Sequence, residues 1–371
     1  MNMVVSMQQT AAAAAGAVMV ALALLGCGSE GGDPPGGTGG EGGAGGAQGE
    51  GGSADGGGGA GAQGGGGPWE CVTLDLKPGE VGPGGVVALF RDDDLNWIES
   101  VEGSALSGEY VYFDADYQLR RVPVAGGPAE TLGDLPSGWH SMVGDTLVWT
   151  EELSSQRNVR LLAAPATDLS ASTVLAEDIL PPRMLALDDT NAYYDQGDPQ
   201  AIWKVALAGG SAPEVLVPSG HPLGMISHEG ALYWLDFQTN QLERVPREGG
   251  TREPLAEVFF GGPMAAAGES VFWTDHSLHT VNRWRDGAAA IDVLHDIERV
   301  PNGDPTPSAI AVSGDTVYWL QGFGCVELWQ VKTDGTGARR TASGFFLADG
   351  LSVDESHVFV IAQDAIYRVD R

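Results

Sequence analysis

The sequence predicts an all-β chain, a β-propeller of seven four-stranded blades, and three observations carry that expectation. A strand ending in an aromatic recurs at Phe113, Trp149, Tyr194, Trp234, Trp273 and Trp319, with Val360 at the matching place of a final copy. Successive spacings of 36, 45, 40, 39, 46 and 41 residues average about 41, the length of four short strands and their turns. Helical spacing of apolar residues is sustained nowhere after Trp69. Each copy is a small antiparallel meander that cannot bury its apolar side alone and must stack on other copies. Six blades, with one copy degenerate, is the alternative count.

Residues 1–27 come first. Their apolar run, residues 11–25, is 15 residues long, shorter than the roughly 20 needed to span a bilayer and suited to a signal-peptide core. It ends in Leu24-Leu25-Gly26-Cys27, which resembles the bacterial lipobox. The resemblance implies export, acylation at Cys27 and attachment to the cell envelope of a bacterium. Two or three acyl chains, at about 0.8 kcal/mol per buried CH₂, would hold the protein on its membrane almost permanently. Gly28-Ser29 follow without the Asp that retains enterobacterial lipoproteins at the inner membrane, which points to the outer membrane.

Residues 28–68 are mostly Gly with Ala, Ser, Gln and acidic residues, and contain no aromatic or large aliphatic side chain. Nothing there offsets the entropy of ordering, so the segment reads as a flexible tether with a reach of roughly 35 Å. Its glycines are not phosphate loops, since no strand precedes them and no helix follows.

From residue 69 to 371 the composition turns to Val, Leu, Trp and Tyr. This part carries 45 acidic and 19 basic residues, leaving −26 of the chain's −31. Such a charge repels nucleic-acid phosphates and anionic lipid headgroups, and leaves cationic groups and divalent metals as partners.

Within the repeats, a further strand follows each aromatic one, as in Leu119-Arg120-Arg121-Val122, Ile202-Trp203-Lys204-Val205 and Leu328-Trp329-Gln330-Val331. Gly-Gly or Asp-Gly then turns the chain, for example at Gly126-Gly127 and Asp334-Gly335. Ahead of each aromatic lies a small apolar strand such as Ser308-Ala309-Ile310-Ala311-Val312, expected innermost because it reads as buried on both faces. The last copy stops after Ile366-Tyr367-Arg368-Val369 without an outer strand. Val86-Val87-Ala88-Leu89-Phe90 is expected to supply it and close the ring, removing two open sheet edges.

Tyr233-Trp234-Leu235-Asp236 and Phe272-Trp273-Thr274-Asp275, with the looser Val148-Trp149-Thr150-Glu151, resemble the Y-W-T-D repeats of low-density-lipoprotein-receptor propellers and related bacterial lipoproteins. The resemblance implies that the aromatic packs between blades and that the Asp is mainly structural. Receptor propellers have six blades, so seven departs from them.

Carboxylates are expected around the channel mouth at Asp114, Asp116, Glu151, Glu152, Asp195, Asp198, Asp236, Asp275 and Asp364. They read either as a Ca²⁺ site or as turn residues bonding their own backbone. Glu102, Trp139, His140, Arg183 and Asp349 fall near the same mouth, a mixed-charge cluster with an aromatic that could bind a small polar ligand. His276 and His279 form H-x-x-H in a turn. No nucleophile elbow or Cys/His nucleophile pair occurs. Two function classes stand: a non-catalytic binding module for a protein or small-molecule ligand, in a monomer, or a calcium-dependent hydrolase or lyase of the lactonase type. With Cys27 acylated, Cys71 and Cys325 remain as a pair in an oxidising compartment, where a disulfide is expected and two buried thiols are the alternative.

Overall fold

The computed structural model describes residues 73–91, 98–100, 102–103, 105–136, 139–153, 158–197, 200–297 and 306–371. The expected leader, Cys27, the tether, Cys71 and Asp198 lie outside these residues.

Blade four shows how the repeat folds. Pro222–His228, Ala231–Asp236, Gln241–Pro246 and Glu253–Glu257 pair in that order from the inside out. The first two strands join through Glu229 and Gly230, both left-handed at φ 44° and 79°. That geometry matches the right-handed twist of the strands it connects, at the cost of a strained Glu229. Blades one, two, three, five, six and seven repeat the plan around second strands Tyr110–Ala115, Thr146–Glu152, Asn191–Gln196, Ser270–Asp275, Thr316–Gln321 and His357–Ile361. The count is seven.

Register follows the sequence spacing. Leu185, Met225, Met264, Ile310, Leu351 and His140 each stand nine residues before the aligned residue of their copy, and each lies directly opposite it on the inner strand. The core sits between blades, because successive side chains of a strand point to opposite faces. Trp234 packs with Tyr193, Ile202 and Val217 of blade three. Tyr233, one residue earlier, packs with Trp273 and Trp284 of blade five. Trp234, Trp273 and Trp319 are fully buried, as the repeat resemblance implies for its aromatic.

Val87–Arg91 closes the ring as the outer strand of blade seven, antiparallel to Ala365–Asp370, with Val87 opposite Arg368 and Arg91 opposite Ala365. Ahead of it the chain is better tied than its sequence suggests. Leu74 is buried, donates its N–H to the Gly344 carbonyl at 2.9 Å, and accepts from Tyr367 Oη at 3.3 Å and Arg91 Nη1 at 3.1 Å. Cys325 opens the third strand of blade six, Cys325–Lys332.

Blade one departs from the repeat. Its inner strand, Ile98–Ser100, places Ser100 opposite Phe113, thirteen residues earlier rather than nine. The extra chain leaves the blade at Glu102–Gly103, which pairs in parallel with Ser141 and Met142 of blade two. It returns at Leu106–Ser107 to pair with Val111 and Tyr110. The short parallel pair thus straps the inner strands of two neighbouring blades together.

Candidate functional site

In every blade the turn between second and third strands and the connection to the next inner strand lie at the same end of the ring, the mouth face. The remaining turns lie at the opposite end. This follows from antiparallel order alone.

On the mouth face the aspartates at the end of the repeat motif hold the backbone. Asp236 Oδ2 accepts the His221 N–H at 3.0 Å and the Trp234 indole N–H at 3.2 Å. Its Oδ1 accepts the Gln238 and Thr239 N–H groups, each at 3.0 Å. Asp275 does the same in blade five, with Oδ2 on the Phe260 N–H at 3.2 Å and Oδ1 on Ser277 and Leu278 at 2.9 and 2.7 Å. Asp195 Oδ1 accepts from the Arg183 and Met184 N–H groups at 2.7 Å, and its other oxygen from Gln200 Nε2 at 3.1 Å. In blade two the repeat acid, Glu151, instead accepts from Arg160 Nε at 2.7 Å, and the Thr150 hydroxyl, at the position of Asp195, accepts from the Trp139 N–H at 3.0 Å.

These environments move the carboxyls in opposite directions. Burial pushes Asp195 above the usual carboxylate range, against the pull of its two backbone donors. Burial also pushes Asp236 upward, but the His221 and Thr239 N–H groups, Trp234 and the nearby Arg252 guanidinium together hold it below that range. Of the two readings of the carboxylate rim, Asp236 and Asp275 follow the turn-bonding one. Among the described residues, no group of three or more His, Cys, Asp or Glu side chains stands together as a metal site, so His276 and His279 gain no third partner of that kind.

The residues expected to form a ligand site lie on blades two, three and seven, with Glu102 reaching blade two on the excursion from blade one. Trp139, Arg183 and Asp349 stand at the mouth ends of the inner strands of blades two, three and seven. Trp139 is half-buried with its N–H on Thr150, whereas Arg183 and Asp349 are exposed. His140 is buried against its neighbours, opposite Trp149 in the inner wall. Glu102 is joined to blade two through the parallel pair. The structure therefore brings Glu102, Trp139 and His140 to one blade and leaves Arg183 and Asp349 on either side of it.

A different feature of this face escaped the sequence reading. Tyr117, Leu180, Phe237, Phe259, Leu278, Phe323 and Phe346, between 40% and 80% exposed, all sit in mouth-face turns, connections or strand ends. Val81, Val174, Val215 and Val293, the other exposed large apolar residues among those described, lie on outer strands or ahead of the closing strand. Turns at the opposite end display none among the described residues. Phe237 and Phe260 meet edge to face with ring centroids 6.3 Å apart, and Phe260 lies 6.5 Å from the His276 ring, so the apolar surface is continuous across blades four and five. The available signal was positional: an aromatic or Leu inside a polar turn, one residue after the repeat acid at Phe237 and three after it at Leu278.

The opposite end holds a cleft of about 480 Å³ between blades four and five, lined by His228, Tyr233, Arg244, Glu253, Glu269 and Asp286 among others. Arg244 pairs there with Glu253 at 2.8 Å and Asp286 at 2.7 Å, and lies over the Trp284 ring at 5.7 Å. His228 Nε2 meets the Gly268 carbonyl at 2.7 Å. Both contacts brace one blade against the next.

Seven sheets, each built on a four-stranded antiparallel meander, with an N-terminal strand closing the last, make this chain a seven-bladed β-propeller protein. No protein-family model matches the sequence, and no curated protein matches it significantly. Among solved structures it is similar to YCF48 from Cyanidioschyzon merolae, 14% identical with a TM-score of 0.53, covering 77% of this chain and 98% of that one. A structure of YCF48 bound to a D1 peptide matches at 14% identity and a TM-score of 0.52, over 81% of this chain and 98% of that one. The nidogen propeller of a nidogen–laminin complex is 17% identical with a TM-score of 0.47, over 64% of this chain and 93% of that one. What YCF48 shares with this chain is the fold.

Proposed function

We propose that this protein is a non-catalytic binding module held on the cell envelope, with its mouth face turned to a partner. The observation that carries the reading is the gathering of exposed aromatic and aliphatic side chains on that one face. Isolated exposed apolar residues need no explanation, but a surface shared by adjacent blades is the signature of an interaction site. The aspartate bonds support it further, because they fix the turns that carry Phe237 and Leu278 and so reduce the ordering cost of binding. YCF48, a similar fold, accommodates a peptide.

In this reading Cys27 is the acylated residue, residues 28–68 are the tether that lets the propeller reach its partner, and Cys71 pairs with Cys325. The propeller is a monomer, and its −26 charge keeps it clear of nucleic acid and anionic lipid.

Site-specific photo-crosslinking in cells tests the reading. A benzophenone amino acid in place of Phe323 is expected to give discrete protein adducts, and the same group in place of Glu269, at the opposite end, is expected to give none. Adducts from Glu269 alone, or from neither position, would overturn the assignment of the binding face.

A further inference from the structure

We infer that the corner of the mouth face where blades four and five meet docks a basic peptide segment anchored by apolar side chains. The inference rests on the binding-module reading and adds the chemistry of the partner.

Phe259 and Leu278 are 67% and 52% exposed, and Phe237, in the adjoining turn, is 52% exposed. Phe260 meets both the Phe237 and the His276 rings, and Phe259 and Leu278 stand one and two residues along the chain from that aromatic floor. The floor is stiff. His221 and Phe260 are each gripped at the N–H by an aspartate and at the carbonyl by the residue after it, through Phe237 N at 2.9 Å and His276 N at 3.1 Å. A rigid apolar floor with protruding apolar walls suits side-chain anchors better than a flat polar ligand.

The charge around this corner selects the partner's sign. Glu257 and Asp296 are exposed at the mouth ends of the two outer strands, opposite Gln241 and Thr280, and neither has an ion-pair partner among the described residues. Arg252 of blade four turns away from this corner: it lies over the Trp234 ring, which packs on blade three, and is held by Glu243 and by the Ser219 carbonyl. Acids thus flank the apolar corner while the nearby arginine of blade four is engaged on the other face of that blade, within a domain of net charge −26. A lysine- or arginine-bearing segment gains from that field, and an acidic segment or an anionic membrane is repelled by it.

Selection of a random 12-residue phage-displayed library on the full chain tests the inference, with counter-selection on a Phe259→Ser/Leu278→Ser double variant. Both replaced side chains are exposed, and circular dichroism with an unchanged thermal midpoint confirms that the variant folds. Peptides that bind only the parent are expected to carry net positive charge and at least one large apolar residue. Their affinity is expected to fall at least tenfold in the double variant and several-fold between 50 and 300 mM salt. Enrichment of neutral or acidic peptides, binding unchanged in the double variant, or no enrichment would each overturn the inference. So would sedimentation of a Cys27→Ser chain with zwitterionic phosphatidylcholine vesicles that the double variant loses, which would make the corner a membrane contact. Phe323 crosslinks that persist beside a failed peptide selection would refute the partner chemistry alone. Loss of both results would refute the binding-module reading as well.

Discussion

Asp275 and Phe260 are joined across the junction of blades four and five: the carboxylate accepts the Phe260 N–H at 3.2 Å, and the next residue, His276, donates to the Phe260 carbonyl at 3.1 Å. Asp236 and His221 repeat the arrangement one blade earlier. The acid that ends the repeat motif therefore serves two scales at once. It satisfies buried backbone donors at the blade junction, and it sets the turns from which the exposed apolar side chains project.

Asp236 and Asp195 are expected to give opposite pH trends when replaced. The Asp236 carboxyl is held below its ordinary 3.8, so its stabilisation is present above that value and is lost as pH falls through the lower folded value. Asp236→Asn should therefore cost about 2 kcal/mol at pH 7, and the gap from the parent should narrow below about pH 4. Asp195 is raised by burial, so the parent loses stability as pH rises from 3.8 through its folded value. Asp195→Asn removes that loss and should cost less at pH 7 than Asp236→Asn. Urea denaturation of both variants at pH 3 and pH 7 checks this, and parallel trends would contradict it.

Much of this organisation was legible because strand register converts directly into sequence spacing. The nine-residue offset from Met225 to Trp234 is a two-residue hairpin read linearly, and it recurs wherever the inner strand is continuous. Blade one defeated the same reading. Its inner strand is broken by the excursion that sends Glu102–Gly103 to blade two, and a parallel contact between two-residue segments leaves no periodic trace. Spacing likewise placed Trp139, Arg183 and Asp349 at the mouth ends of their inner strands, but it carries no information on burial, and His140 is buried opposite Trp149. The apolar corner depends on which turns adjoin in space, and the pairing of Phe237 with Phe260 crosses a blade boundary that periodicity alone does not cross.

Aromatics in the two settings should behave differently on truncation. Trp273 is fully buried between Tyr233 and Leu235 of blade four and its own blade, so Trp273→Ala should cost about 3–5 kcal/mol through lost transfer energy and the cavity left behind. Phe323 is 80% exposed, so Phe323→Ala should stay within about 0.5 kcal/mol. Thermal or urea midpoints of both variants test the assignment. A large loss at Phe323 would show that the mouth-face aromatics hold the fold rather than display a surface.

Closure makes a comparable demand on two deletions. Val87–Arg91 completes blade seven and buries Ala88 and Leu89, so removing residues 86–90 opens a sheet edge and exposes the core beneath it. Removing residues 28–68 takes away only chain expected to be a tether. The first deletion should lower the thermal midpoint sharply and promote aggregation, while the second should leave it within a few degrees. A tether deletion that proved the more damaging would refute the closure scheme.

Cys71 is expected to pair with Cys325. Leu74 donates to Gly344 on the outer strand of blade six, and Phe346, two residues further along that strand, lies opposite Cys325. Three residues of chain span at most about 10 Å, so the expected pairing asks for no more chain than lies between Leu74 and residue 71. With 253 residues between the two cysteines, the bond would restrict the unfolded chain by up to about 5 kcal/mol in the loop-entropy model. Mass analysis of an unreduced digest should recover one peptide pair joined through these residues, and free Cys71 would refute the pairing. Cys71→Ser should lower the thermal midpoint. Even so, residues 73–77 should keep their amide protection at Leu74, because its bonds to Gly344, Tyr367 and Arg91 hold that segment independently of the disulfide. Rapid exchange at Leu74 in the variant would show that the covalent bond, and not this hydrogen-bonded anchor, fixes the start of the propeller.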